Sequence, residues 1–307
     1  MGQGDVDGAR SAVGSWVGLG LLAAAWGSTF LWIDVALSEG VSPAVLTVGR
    51  ALVATVALAA VGWPRFRSWG GNGPRPRDLL LASALCNAMP FLCVSIAQQT
   101  VSSGIAGVLS VTTPLWAVLL ESRWGRRELI RGRQFAGVAV GFVGVCLLSE
   151  PWRGHVSWSA GVVLLLAAAA GYAAGFVFMV RRLIPTAAAP AELATLQMFA
   201  ATLLLAIPAG VSGDYAIPTL TGALAVVVIG LVCTAFTFTI AYRMLASEGA
   251  TRTAVVGYVI PVVAVLLGAL VLSEQLRPLA FVGIGVVLAG VALTRSSPAD
   301  RALAGQP

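Results

Sequence analysis

The sequence predicts an all-α integral membrane protein: ten transmembrane helices arranged as two inverted five-helix repeats, with both termini in the cytoplasm. Three observations predict it. The 307 residues are 58% apolar and only 10% charged, with a mean hydropathy of +0.90. The remaining charge falls in short clusters between long apolar runs. Segments of the first half return in the second half at a constant shift of 147 residues. A soluble domain carries about 25% charged residues, and a chain of this size cannot hide so much apolar surface from water. A soluble enzyme, a disordered chain and a disulfide scaffold are therefore excluded.

The apolar runs fall at 15–37, 44–62, 78–98, 103–121, 133–149, 160–180, 190–210, 220–243, 250–272 and 278–294. A transmembrane helix takes about 20 residues, so ten fit in a chain of this length. The first run, from Gly14 to Leu37, is too long for a cleavable signal and reads as a retained helix. The two strongest breaks are the arginine-bearing segments Gly62–Asp78 and Ser122–Arg133. Other connections are short, which favours a compact up-and-down bundle. The expected units are a cytoplasmic tail over 1–14, a first repeat over 15–149, an extracytoplasmic connection over 150–159, a second repeat over 160–294 and a tail over 295–307.

Arginine placement sets the orientation. All 19 basic residues are arginine, and the net charge is +6. With ten alternating spans, 16 arginines fall on the side that holds both termini, and only Arg153 and Arg277 fall on the other. The arginine-rich side is the cytoplasm. Trp16, Trp63, Trp69, Trp124, Trp152 and Trp158 lie at span ends or loops, where interfacial belts occur. No basic, aromatic-studded domain surface is present, so no nucleic-acid partner is expected.

The repeat is visible in three helices. Pro43-Ala-Val-Leu-Thr-Val-Gly-Arg50 matches Pro190-Ala-Glu-Leu-Ala-Thr-Leu-Gln197, and Cys86-Asn-Ala-Met-Pro-Phe91 matches Cys233-Thr-Ala-Phe-Thr-Phe238. Pro114 matches Pro261, and with one residue dropped Gly137 and Gly144 match Gly283 and Gly290. Five helices per copy is odd, so the second copy enters the membrane from the opposite side, as secondary transporters do. The small-residue faces Gly137-Val-Ala-Val-Gly141 and Gly171-Tyr-Ala-Ala-Gly175 suit close helix packing.

Few residues could carry chemistry. Arg50 lies about 10 Å into the second span. A charge at depth costs about 2.5–3.5 kcal/mol on insertion scales and faces the bundle interior. It reads either as a contact to an anionic substrate group or as a structural ion pair. Its repeat partner Gln197 keeps hydrogen bonding and loses the charge. Asp34, at similar depth on the first helix, is a candidate salt-bridge partner or proton carrier, and the alternative is an idle boundary carboxylate. Glu192 and Glu121 read as boundary residues. Asn87, Thr112 and Thr113 are polar at depth. Pro90, Pro114, Pro208 and Pro261 interrupt helices and free carbonyls, with Pro90, Pro114 and Pro261 the hinge candidates. Trp26, Trp116, Tyr172 and Tyr258 could line a cavity, as could Trp32, Phe176, Phe236 and Tyr242.

Cys86, Cys93, Cys146 and Cys233 each sit in an apolar run, with no paired spacing and no nearby histidine. They read as small core residues. The only histidine, His155, is in a polar loop. Enzyme motifs are absent, so no catalytic residue, cofactor or metal is expected.

Together, Trp26-Gly-Ser-Thr-Phe30, Arg50, Thr113-Pro-Leu-Trp116, Gly257-Tyr-Val-Ile-Pro261, Ser273-Glu274 and the closing Gly283 and Gly290 resemble the EamA-like branch of the drug/metabolite transporter superfamily. The resemblance covers about residues 15–295. It implies ten helices in two inverted repeats, and efflux of amino acids, related metabolites or drugs through a central cavity. Asp34 departs from the family pattern, where this position is often basic, and alters the charge of the outer vestibule. The expected function is alternating-access export of a small amphipathic metabolite across the cytoplasmic membrane. The alternatives are uptake by the same class, a lipid flippase or a non-transporting membrane subunit. The expected partners are a small-molecule substrate and the lipid bilayer, with a homodimer left open. The expected substrate contacts are Trp26, Asp34, Arg50, Asn87, Thr113, Trp116, Tyr172, Gln197 and Tyr258.

Overall fold

A computed structural model describes residues 3–62, 73–124, 132–149, 159–186, 189–213, 218–262 and 278–294. Among them every element is helical and none is a strand. The helices are α1 (Gln3–Ser38), α2 (Pro43–Gly62), α3 (Pro76–Ser83), α4 (Met89–Ala97), α5 (Ser103–Ser110), α6 (Thr113–Trp124) and α7 (Gly132–Ser149). They continue with α8 (Ala160–Arg182), α9 (Pro190–Ser212), α10 (Leu220–Gly230), α11 (Thr237–Glu248), α12 (Ala250–Ala254), α13 (256–262) and α14 (Pro278–Thr294). Two π-helical segments, Ala84–Ala88 and Leu231–Phe236, join α3 to α4 and α10 to α11.

Seven helical segments among the described residues are long and apolar enough to cross a membrane: Gly18–Ser38, Pro43–Val61, Pro76–Ala97, Ser103–Arg123, Ala160–Thr186, Pro190–Ser212 and Leu220–Glu248. They coincide with seven of the ten expected spans. At the other three positions stand shorter apolar helices, Gly132–Leu147, Ala250–Val262 and Phe281–Thr294. The continuation of the ninth expected span lies outside the described residues. So do Ser273-Glu274, Arg153, Arg277, His155 and the side chains of the six expected interfacial tryptophans.

Local sequence explains the helix ends. Pro43 and Pro190 open α2 and α9, where a missing N–H is no loss and φ is already helical. Ser159 and Thr219 cap α8 and α10 by accepting from Val162 N and Gly222 N. Gly249 alone separates α11 from α12, and its φ of +84° is a corner that residues with a Cβ rarely adopt.

Features related by the repeat shift recur. α2 and α9, the two π-helical segments, and α5 and α12 begin at positions 147 apart. The wide turn follows the shift although proline does not, because Thr237 stands where Pro90 would fall. Thr55 Oγ1 and Thr202 Oγ1, themselves 147 residues apart, lie 3.2 Å from each other between α2 and α9.

The small-residue faces pack as expected. A Cβ on Gly144 would meet Val287 N at 2.5 Å, and one on Gly290 would meet Gly141 Cα at 2.6 Å, so α7 and α14 touch backbone to backbone. A Cβ on Gly175 would stand 3.0 Å from Cys86 N, which seats the first π-helical segment against α8. The cysteines are free, and Cys86 and Cys233 are buried, as small core residues should be. Glu192, in the first turn of α9, is buried, and α9 packs against α2, α3 and α11.

Candidate functional site

Helices α1, α2, α4, α5, α6, α8, α11, α12 and α13 surround a cavity of about 850 Å³, counting its open mouth. Trp26, Thr29, Phe30 and Ile33 of α1 share one face of that helix. Arg50, Phe91, Ser110, Thr113, Tyr172, Phe176, Phe238, Gly257 and Ile260 complete much of the wall. The wall is mostly apolar and aromatic, with a few convergent polar groups, which is the usual make-up of a small-molecule site.

Arg50 is the one charged residue among those lining the cavity. It is only 4% exposed. Its Nε and Nη2 donate to Thr234 Oγ1 at 3.2 and 3.0 Å. Its Cζ stands 3.7 Å from the centroid of the Phe91 ring, a cation–π contact. Thr234 in turn donates to Ile229 O at 2.9 Å. The guanidinium is thus fixed from two sides by neutral groups. Two of its five N–H donors meet Thr234, and its charge meets no carboxylate in the cavity wall.

Three hydroxyls that line the same cavity are oriented by their own helices. Thr29 donates to Ala25 O at 3.3 Å, Ser110 to Gly107 O at 2.6 Å and Thr113 to Ser110 O at 2.8 Å. Their protons are used, so they offer oxygen lone pairs as acceptors. Trp26 and Phe238 stack edge to face at 6.3 Å, as do Phe91 and Phe238 at 6.2 Å.

Of the nine substrate contacts the sequence suggests, Trp26, Arg50, Thr113 and Tyr172 line the cavity. Asn87 and Gln197 are brought together but lie outside its wall. Both are fully buried, and Gln197 Oε1 accepts from Asn87 Nδ2 at 3.3 Å and from Tyr242 Oη at 2.8 Å.

Three expected contacts are turned away. Asp34 is exposed because Ile33 takes the inward direction, and the next residue points about 100° round the helix. It pairs with nothing at Arg50, whose partner is Thr234. Trp116 is 37% exposed: Thr113 and Ala117, one turn apart, hold the buried face of α6. Tyr258 is buried against Gly141 of α7, and its hydroxyl donates to Val138 O at 2.9 Å, so it packs α13 rather than lining the cavity. Among the other aromatic candidates, Phe176 lines the wall and Phe236 is exposed.

The candidate hinge prolines lie at or beyond interruptions in the helices. Pro90 is the second residue of α4, directly after the π-helical segment. Pro114 follows the break at Val111–Thr112, and Pro261 lies in α13 beyond the break at Val255. Thr234, Phe91 and Phe238 are the residues that sequence reasoning missed. The repeat shift was the available signal, since it equates Thr234 with Asn87 and Phe238 with Phe91.

The EamA-like transporter family model matches residues 14–150 and again 159–296. The chain belongs to the EamA-like transporter family. The EamA-like chain is 28% identical over 276 residues to the uncharacterized inner membrane transporter YedA of Escherichia coli, covering 87% of this chain and 86% of that one. It is 31% identical over 280 residues to a probable terminal-alkyne amino-acid exporter of Streptantibioticus cattleyicolor, covering 89% and 90%. A probable amino-acid metabolite efflux pump of Escherichia coli is 26% identical over 287 residues, covering 88% and 91%. One solved structure shares the fold at a TM-score of 0.72 and 20% identity, over 93% of this chain and 97% of that one. The protein is a multi-pass membrane transporter and not an enzyme.

Proposed function

We propose that this EamA-like transporter exports a small amphipathic solute, an amino acid with an apolar side chain or a related compound, across the cytoplasmic membrane by alternating access. One observation carries the reading: a single fixed guanidinium in an otherwise uncharged, aromatic cavity. Such a cavity takes a carboxylate at Arg50, an ammonium on the acceptor oxygens of Ser110 and Thr113, and an apolar body against Trp26, Tyr172 and Phe176. The relatives named as amino-acid exporters support the class and the direction.

The architecture proposed with it is two inverted five-helix repeats, over 15–149 and 160–294. The double match of the family model supports it, as does the contact between Thr55 and Thr202. In the orientation set by the arginines, the cavity lies in the middle of the bundle, from Arg50 in the outer half of α2 to Ala254 near the inner start of the ninth span. On the inner side, Thr251 donates to Glu121 and ties α12 to α6. That tie holds the inner ends of α6 and α12 against each other.

The test uses inside-out vesicles holding the purified full chain, with radiolabelled L-leucine as the solute. Uptake faster than in protein-free vesicles is the expected result, with a raised KM in Arg50→Gln when leucine is offered to the outer face of right-side-out vesicles. Leucine movement equal to that in empty vesicles overturns the reading.

A further inference from the structure

The two hydrogen-bonded pairs in the middle of the bundle are copies of one another. Arg50 of α2 holds Thr234 of the second π-helical segment. Gln197 of α9 holds Asn87 of the first. Adding the repeat shift of 147 turns Arg50 into Gln197 and Asn87 into Thr234. Between the pairs stand Phe91 and Phe238, also related by the shift, with their rings 6.2 Å apart. One face of this aromatic septum borders the cavity and the other is closed. Arg50 borders the cavity. Gln197, Asn87 and Tyr242 lie beyond Phe238, whose ring is 5.5 Å from that of Tyr242, and all three are fully buried.

The closed cluster is not chemically complete. Asn87 Oδ1 and Gln197 Nε2 are buried without a hydrogen-bond partner. A buried amide left half-satisfied is unfavourable. The unused pair consists of one acceptor and one donor on two amides that already touch. A group carrying a donor and an acceptor side by side would fill both.

We propose that Asn87, Gln197 and Tyr242 form a second, uncharged substrate site on the cytoplasmic side of the Phe91–Phe238 septum. It is the repeat-related counterpart of the Arg50–Thr234 site, and it holds the polar end of the solute while the transporter faces inward. This rests on the alternating-access reading above. The chemistry selects a zwitterion, whose ammonium meets Asn87 Oδ1 and whose carboxylate meets Gln197 Nε2. A carboxylate alone suits Arg50 but meets an acceptor at Asn87. The transporter then collects a net-neutral solute at a neutral site and passes it to a cationic one.

The test places single cysteines, Asn87→Cys or Thr234→Cys, in a full-length chain whose four native cysteines are replaced by alanine. A membrane-impermeant maleimide is applied to inside-out or right-side-out vesicles. The expected result is labelling of position 87 from the cytoplasmic side only and of position 234 from the outside only. The solute preference is read with asparagine in place: Asn87→Leu should raise the KM for L-leucine offered to the cytoplasmic face at least five-fold, and 4-methylpentanoate, its carboxylate-only analogue, should leave cytoplasmic-face leucine uptake by the unsubstituted protein within two-fold. Labelling of 87 from the outside, no labelling at 87 while 234 reacts, or an unchanged KM in Asn87→Leu each overturns the proposal. Inhibition by 4-methylpentanoate equal to that by excess unlabelled leucine also overturns it. Leucine uptake by the unsubstituted protein is measured in parallel. Uptake with any of those results removes only the second site, whereas absent uptake removes the transport reading itself.

Discussion

Replacing Arg50 by methionine separates a substrate contact from a structural cation. Three terms set the effect on folding. A buried charge in a membrane helix costs about 2.5–3.5 kcal/mol. Hydrogen bonds from a charged donor, here to Thr234, return about 1.5–3 kcal/mol. A desolvated cation–π contact, here on Phe91, returns about 2 kcal/mol. The terms nearly cancel, so Arg50→Met should lower stability by no more than about 2 kcal/mol. The substitution orphans nothing, because Thr234 keeps its own bond to Ile229 O, and methionine can fill the space over Phe91. Transport should respond far more strongly. Loss of hydrogen bonds between a guanidinium and a carboxylate, about 1.5–3 kcal/mol, raises KM roughly 10- to 150-fold at 1.4 kcal/mol per decade. Stability is read by reversible unfolding in detergent, and transport by initial rates of leucine uptake from the outer face of right-side-out proteoliposomes. A stability loss above about 3 kcal/mol, the range for breaking a buried ion pair, would refute the reasoning, and so would an unchanged KM.

Further outcomes follow from packing. Gly290→Val should lower the melting temperature by the equivalent of about 1–3 kcal/mol, since its Cβ would strike the Gly141 backbone. Gly104→Ala, with nothing within 4 Å, should be neutral or stabilising by up to about 1 kcal/mol, and thermal melts of both in detergent check the contrast. Tyr258→Phe should lose about 0.5–1.5 kcal/mol of stability with its bond to Val138 O. Its KM for leucine should stay within two-fold, because the ring lies outside the cavity.

Much of this architecture was legible because the repeat can be read directly as arithmetic on residue numbers. The shift that pairs Arg50 with Gln197 also pairs Asn87 with Thr234, and the structure then joins Arg50 to Thr234 and Gln197 to Asn87. What stayed hidden was direction around each helix axis. In a soluble helix, polar residues mark the outer face. In a membrane both lipid and core are apolar, so the residues around Asp34, Trp116 and Tyr258 carry no such stripe, and the inward face is set by contacts the sequence does not announce. Glycine partly restores the missing direction. Gly141 has room for no Cβ because Tyr258 presses on it, and a Cβ on Gly290 would meet its backbone, so the small-residue face that names the α7–α14 contact also removes Tyr258 from the cavity. The wide turns teach the opposite lesson about proline. Pro90 drew attention to the first one, yet the second forms at the related position with Thr237 in its place. The π-helical geometry therefore belongs to the repeated scaffold. It is what brings Asn87 and Thr234, one from each copy, to the two faces of the same aromatic pair.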